Sequence, residues 1–205
     1  KIKAMIELAK GKLHVGAQEL DADPMLLTCR NGTINLRTGL LREHCHADRI
    51  TKYTDIEYDP QATSDVWETF LDEITQNEPC LKSYLQRAAG YTATGDTREQ
   101  EIFILHGPSK TGKSLFINTI AHILGDHAMS SSFNTFATRR DNSGPRSDIA
   151  RLNGARMVVT SETGEGKKFE LGDAFLLHGK QAFGVASRRQ RELCCLFVGG
   201  SHAEA

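Results

Sequence analysis

Residues 104–116 read ILHGPSKTGKSLF and place two glycines, a lysine and a serine between two apolar runs. The spacing Gly-x-x-x-x-Gly-Lys-Ser is that of a P-loop, which takes the form of a strand, a glycine-rich turn and a helix. Glycines let the backbone curl so that successive N–H groups point inward and form a nest for an anion. The residues that would line this nest are Gly107, Pro108, Ser109, Lys110, Thr111, Gly112, Lys113 and Ser114. The stretch therefore predicts a site for the phosphates of a nucleoside triphosphate.

The flanks of this stretch favour a buried strand followed by an amphipathic helix. Residues 101–106, EIFILH, form a short apolar run of the kind found in parallel sheets. The segment after the turn repeats apolar residues at helical spacing and closes on a glycine suited to a C-cap, namely Phe116, Ile117, Ile120, Ala121, Leu124 and Gly125. Lys113 would reach the β- and γ-phosphates of ATP, and the Ser114 hydroxyl would ligate Mg²⁺. The alternative is an ordinary strand–turn–helix connection whose glycines serve only close packing.

A catalytic acid is expected at the end of a second buried strand. Residues 155–163, ARMVVTSET, would form a strand that ends at Ser161-Glu162-Thr163. Open α/β sheets bind their ligands at the carboxyl ends of parallel strands, so Glu162 is the candidate partner of Lys113. Glu162 would either hold Mg²⁺ or act as the general base. The other interpretation is a surface glutamate in a turn.

The order of strands and helices predicts an α/β fold. Beyond residue 100 the alternation of the two favours a parallel sheet with right-handed crossovers. Three segments are expected: an N-terminal helix and β-meander over 1–60, a small helical domain over 61–100, and a P-loop core over 101–205.

Turn and cap residues support the first two of these segments. Asn31-Gly32 and Thr38-Gly39 separate short apolar runs, as in a β-meander. In the helical segment Ser64 fits an N-cap, Pro79 fits a first helical turn and Gly90 fits the end of the second helix, before a polar connector over 91–100.

Composition limits the kinds of partner. The net charge of −1 excludes a general polycation, so a nucleic-acid surface would have to be local. Residues 138–156 hold five arginines that would contact phosphates or form a solvated face: Arg139, Arg140, Arg146, Arg151 and Arg156. Five cysteines without a C-x-x-C pair, and the absence of an 18-residue apolar run, point to a reducing, cytoplasmic setting without a membrane.

Three stretches resemble linked motifs of the superfamily 3 helicase part of phage and plasmid primase-helicases, which are relatives of the poxvirus primase-helicase. They read NGTINLRTGLLREH, YLQRAAGYTATGDTREQEIFILHGPSKTGKSLFINTIAHILGD and ARLNGARMVVTSET. The resemblance spans Leu20 to Lys168. It implies an AAA+-like P-loop core that uses ATP and Mg²⁺, a homo-hexameric ring that moves along single-stranded DNA, and often an upstream primase domain. It also assigns segment 64–90 to the family's small domain, and implies work in the cytoplasm at replicating phage or plasmid DNA.

The last part of the chain departs from this family's pattern. Gly179-Lys180-Gln181 stands where a DNA-contacting loop has Gly-Gly-Asp, and Ser201 occupies the position of a sensor asparagine. No arginine finger follows before Ala205, and Lys1 replaces the usual Met. A truncated, degenerate or frameshifted product would explain the tail, and a piece of a longer protein would explain the start. The expectation is ATP binding with very slow hydrolysis and no unwinding by this chain alone.

Two other functions stay open at this point. A P-loop nucleotide or small-molecule kinase also combines this turn with a mobile arginine-rich lid. A non-catalytic ATP-binding remnant would fit Ser201 and the altered tail.

Overall fold

The computed structural model describes residues 2–10, 15–96, 98, 102–105, 110–132, 135, 150–161 and 194–198. Its helices are α1 (Ile2–Lys10), α2 (Asp65–Ile74), α3 (Pro79–Ala93) and α4 (Lys113–Leu124). Its strands are β1 (Leu26–Cys29), β2 (Gly32–Asn35), β3 (Leu40–Arg42), β4 (Ile102–Leu105), β5 (Ala128–Ser130), β6 (Met157–Ser161) and β7 (Cys194–Val198). The structure mixes helices and strands, as the predicted α/β class requires, whereas the AAA+-like P-loop core stays a prediction. Within these ranges no helix is long and apolar enough to cross a membrane.

The N-terminal meander is a three-stranded antiparallel sheet in the order β1-β2-β3. Its inward face buries Leu27, Cys29 and Ile34, against which Leu36 and Tyr58 pack. The predicted β-meander is confirmed, because the two turns join three consecutive antiparallel strands; the apolar face is formed by β1 and β2, whereas β3 is exposed.

The two helices of the middle segment begin as the sequence predicts. The Ser64 side chain accepts a hydrogen bond from the Trp67 backbone N–H at 3.2 Å, which caps α2. Pro79 lies in the first turn of α3, where its missing N–H has no intrahelical partner to lose.

The end of α3 differs from the prediction. The helix passes through Gly90 and continues to Ala93. Thr92 is fully buried in this last turn, and the Tyr91 ring meets the Phe103 ring edge-on at 6.5 Å between centroids. Packing of this kind overrides the weak helix propensity of glycine. The predicted connector over 91–100 is therefore wrong for its first three residues.

The second sheet has four strands in the order β4-β7-β6-β5. β5 and β6 are parallel, whereas β7 is antiparallel to both of its neighbours, so β4, β5 and β6 all run in one direction. The prediction of a parallel sheet is wrong at β7. An apolar run such as CCLFV favours a strand, but it does not encode the direction in which that strand runs.

One hydrophobic core joins α2, α3, α4 and this sheet. Its buried residues are Leu71, Phe116, Ile117, Leu124 and Met157. Around them pack partly buried side chains: Trp67, Phe70, Ile74, Leu85, Ala89, Ala93, Phe103, Leu105, Ile120, Ala121, Ala128 and Val159. The predicted apolar face of α4 is confirmed. The boundary at residue 100 stays a prediction, and side chains from both sides of it share this core.

Candidate functional site

The turn before α4 has the backbone shape of an anion nest. Lys110 and Gly112 adopt left-handed conformations, with φ of 63° and 82°. Gly112 is the N-cap of α4 and supplies no side-chain cap, and the first turn of the helix holds no acidic residue. The first N–H groups of a helix lack intrahelical partners and carry its positive dipole end. The start of α4 therefore carries a partial positive charge that would attract phosphate.

Two residues of the predicted phosphate site, Thr111 and Lys113, are joined by a hydrogen bond. Lys113 is half-buried at the first position of α4, and its Nζ donates a hydrogen bond to Thr111 Oγ1 at 3.1 Å. Ser114 follows with an exposed side chain. Lys110, Thr111, Gly112, Lys113 and Ser114 are consecutive in the chain, and their role as phosphate or Mg²⁺ ligands stays a prediction. Gly107, Pro108 and Ser109 lie outside the described residues, so their part of the nest stays a prediction.

β4 and β6 end at the same edge of the sheet. Leu105, the last residue of β4, and Ser161, the last of β6, both pair with Cys194 on the intervening strand. Two strand spacings put these ends roughly 10 Å apart. The glycine-rich stretch follows β4 and Glu162 follows β6 in the chain, and Glu162 itself lies outside the described residues. The register therefore brings the carboxyl ends of β4 and β6 to the same side of the sheet.

Helix α2 packs directly against the turn. A Cβ atom added to Gly112 would lie 2.6 Å from Ile74 Cγ2 and 3.0 Å from Phe70 Cε2. Gly112 is therefore required both for its φ and for this close approach. Phe70 and Ile74 are partly buried at this contact, and no signal in the sequence identified the surface they cover.

Arg156 is a structural residue, which corrects its interpretation as a phosphate contact. It is only 6% exposed, and its guanidinium donates to the carbonyl oxygens of Ala93 at 2.7 Å and Leu26 at 2.5 Å. Burial lowers the pKa of Arg156 to about 10, partly offset by Asp21 and Asp23, so the side chain is a cation at neutral pH. Because both ends of the fork are engaged inside the protein, Arg156 cannot serve a ligand at the other edge of the sheet.

The other arginines of the basic segment are not shown to be buried. Arg151 has an exposed side chain, which donates a hydrogen bond to the Ser130 carbonyl at 2.9 Å. Arg139, Arg140 and Arg146 lie outside the described residues, and their contact with phosphate stays a prediction.

A buried histidine, which the sequence did not single out, lies beside Arg156. His127 is 2% exposed and its carbonyl accepts a hydrogen bond from the Arg156 backbone N–H at 2.8 Å. Neither ring nitrogen has a hydrogen-bond partner in the described part of the chain. Burial lowers the pKa of His127 to about 3, assisted by the positive charges of Arg156 and Lys52 and opposed by Asp21. His127 is therefore neutral in the folded protein at physiological pH.

This histidine predicts a loss of stability in mild acid. In the unfolded chain His127 binds a proton below about pH 6.5, whereas in the folded protein it stays neutral down to about pH 3. Between these values the unfolded state binds one more proton, so unfolding is favoured as pH falls. In His127→Leu this contribution is absent. As pH falls through that window, we expect the parent to lose about 1.4 kcal/mol of unfolding free energy per pH unit relative to the variant. Urea unfolding at pH 7, 6, 5 and 4 measures it.

The matched control for this measurement is His122→Leu, which replaces an exposed histidine on α4. Its curve should follow the parent at every pH. If parent and His127→Leu also remain parallel between pH 7 and pH 4, His127 is not held neutral in the folded protein.

Comparison with known proteins finds similarity to one family model and to two viral proteins described as putative helicases. Residues 1–76 match the family model described as "D5 N terminal like". The chain is 26% identical over 114 residues to "Putative helicase L207/L206" of Acanthamoeba polyphaga mimivirus, a match that covers 53% of this chain and 12% of that protein. It is 25% identical over 167 residues to "Putative helicase 121R" of Invertebrate iridescent virus 3, covering 78% of this chain and 18% of that protein. These similarities support a helicase family of the primase-helicase kind.

The chain spans less than a fifth of the length of these two relatives. The family match lies over the N-terminal helix, the meander and α2, whereas the longer of the two relative matches must extend into the region of the glycine-rich turn.

Proposed function

We propose that this chain is the ATP-binding part of a DNA replication helicase of superfamily 3, from a protein of the primase-helicase type. The observation that carries the proposal is the turn before α4. Its left-handed Lys110 and Gly112, its helix start without a side-chain cap and the nearby Lys113 would together form a phosphate cradle within the predicted Gly-x-x-x-x-Gly-Lys-Ser pattern. The similarity to viral proteins described as putative helicases supports the helicase part of this assignment.

The residues of this cradle fit Mg-ATP by their chemistry. N–H groups at the start of α4 would bind phosphate oxygens, and the Lys113 ammonium would place its charge at the β- and γ-phosphates. The exposed hydroxyl of Ser114 is an oxygen ligand of the kind that Mg²⁺ accepts. Bound Mg²⁺ would neutralise charge on the phosphates. Glu162, from the end of β6, would hold this ion or orient the attacking water.

The partners proposed for the whole protein follow from the helicase family. In the whole protein, a homo-hexameric ring would couple ATP hydrolysis to movement along single-stranded DNA in its channel, in the cytoplasm. A primase domain would lie upstream of this ring. Because the chain spans only a small part of its relatives, these remain properties of the longer protein that we propose it belongs to.

The kinase alternative loses part of its support in the structure. It relied on an arginine-rich segment that could close over a nucleotide, and one of the five arginines, Arg156, is committed to internal carbonyl groups. Steady-state ATP hydrolysis with and without single-stranded DNA separates the two functions. A kinase would ignore DNA and require a small acceptor, whereas the helicase function predicts stimulation by DNA in the longer protein.

Glu162→Gln tests the assignment within this chain. We expect Mg-ATP binding to persist, because the amide keeps the shape, while single-turnover hydrolysis falls at least about 100-fold, since the amide neither polarises water nor carries charge for Mg²⁺. Calorimetric titration and radiolabelled ATP in excess protein give the two readouts.

Glu57→Gln is the matched control, as it replaces an exposed glutamate in the segment before α2. Its hydrolysis rate should equal that of the parent. Equal rates in parent and Glu162→Gln would place the catalytic acid at another residue, and failure of the parent to bind Mg-ATP at all would refute the proposed function.

A further inference from the structure

Helix α2 leaves no room for a side chain at Gly112, in the turn over residues 110–112 that we call the phosphate turn. Ile74 Cγ2 and the edge of the Phe70 ring fill the space where any side chain at position 112 would begin. The contact atom of Ile74 is a branch methyl on Cβ, so it cannot swing aside as the end of a long side chain would. The position of Gly112 is thus set by α2.

Helix α2 is itself held firmly in place. Its first turn is capped by Ser64, and its Trp67 ring stacks on Phe116 of α4 with 5.9 Å between centroids and 11° between planes. Lys82 of α3 forms ion pairs with Glu68 and Asp72. Leu71 lies in the shared core. The helix therefore presents Phe70 and Ile74 from a fixed frame.

The turn requires such a frame. Lys110 has φ of 63°, a left-handed conformation that costs a non-glycine residue roughly 1–2 kcal/mol. Conformations of this kind persist only where the surrounding structure imposes them. The directions of the N–H groups in the nest depend on the φ values of Lys110 and Gly112, and α2 is the element packed against the second of them.

We propose that α2 is a positioning element of the nucleotide site, with Ile74 and Phe70 holding the phosphate turn in its anion-binding shape. Neither residue would touch the nucleotide. They would act through Gly112, so that movement of α2 and occupancy of the site are coupled in both directions. This inference deepens the proposed function and rests on it. Its first test is independent of any nucleotide.

The first test is amide hydrogen exchange across residues 110–114 in the nucleotide-free chain. Ile74→Leu keeps the side-chain volume but removes the branch methyl that meets Gly112. Ile120→Leu is the matched control, since Ile120 is a partly buried isoleucine of the same core, two turns into α4. We expect exchange over 110–114 at least about fivefold faster in Ile74→Leu than in parent or control. Equal exchange in all three would overturn the proposal.

The second test is Mg-ATP affinity in the same three chains, with their unfolding midpoints measured in parallel. We expect affinity about fivefold weaker in Ile74→Leu and unchanged in Ile120→Leu at similar stability. Faster exchange with unchanged affinity would show that α2 does not position the site. If the parent exchanges as expected but binds no Mg-ATP, the proposed function fails and the packing of α2 on the turn stands as structure alone.

Discussion

Replacing Lys113 by alanine is expected to weaken Mg-ATP binding by about two orders of magnitude. The ammonium lies over the turn within 3.1 Å of Thr111 Oγ1, where it would offer the concentrated positive charge that a triphosphate requires. Backbone N–H groups at the start of α4 would still attract phosphate, but they are dipoles and do not replace a full charge. Titration calorimetry with Mg-ATP gives the affinity.

The fold should tolerate this substitution. Lys113 is half-buried at the first position of α4, and alanine is a good helix former, so the free energy of unfolding should change by less than about 1 kcal/mol. Lys3→Ala, at an exposed lysine of α1, is the matched control and should leave the affinity unchanged. Equal affinity in parent and Lys113→Ala would refute the P-loop interpretation.

Loss of the Arg156 guanidinium is expected to cause the largest change in stability. Arg156→Met keeps much of the stem but leaves the carbonyl oxygens of Ala93 and Leu26 without their charged donor. Ala93 ends α3, whose last turn holds no basic residue of its own, so Arg156 supplies the cation that the negative end of the helix dipole favours. We expect the unfolding free energy to fall by about 2–4 kcal/mol, with release of the buried cation offsetting part of a larger loss.

Urea unfolding followed by circular dichroism measures this change. Arg151→Met is the matched control, because Arg151 lies in the same basic segment with an exposed side chain and one hydrogen bond to a carbonyl, and it should cost less than about 1 kcal/mol. Arg156→Lys should fall between parent and Arg156→Met, since an ammonium keeps the charge without the planar fork that reaches two carbonyls. A loss no greater in Arg156→Met than in Arg151→Met would contradict the structural role of Arg156.

The parts of the fold that could be predicted from sequence are those encoded locally. The period of apolar residues predicted α4 and its buried face, and the turn dipeptides predicted the meander. Ser64 fixed the start of α2 in the same way, through one hydrogen bond within a turn of helix. Each of these depends on neighbours in the chain, for which side-chain spacing and backbone preference are sufficient information.

The parts that could not be predicted depend on contacts between distant segments. The direction of β7 depends on the path by which the chain returns to the sheet. An apolar run contains no information about that path. Arg151 and Arg156 look equivalent in the sequence, and only the carbonyl groups of β1 and α3 distinguish the solvated one from the buried one. For the candidate site, the motif predicted which residues form the turn. It could not predict that α2 packs against Gly112, because this contact joins distant parts of the chain.

The antiparallel β7 also determines when the candidate site can take shape. β4 and β6 do not pair with each other, and β7, the last of the described strands in chain order, is the strand that pairs with both. A nascent chain that has emerged only as far as Ser161 contains the glycine-rich stretch and can pack α4 on β6, but it lacks the strand that links the ends of β4 and β6. Pairing over such long sequence separations closes large loops and is slow. The edge that would hold ATP is therefore among the last features of this domain to form, and synthesis of β7 governs its completion.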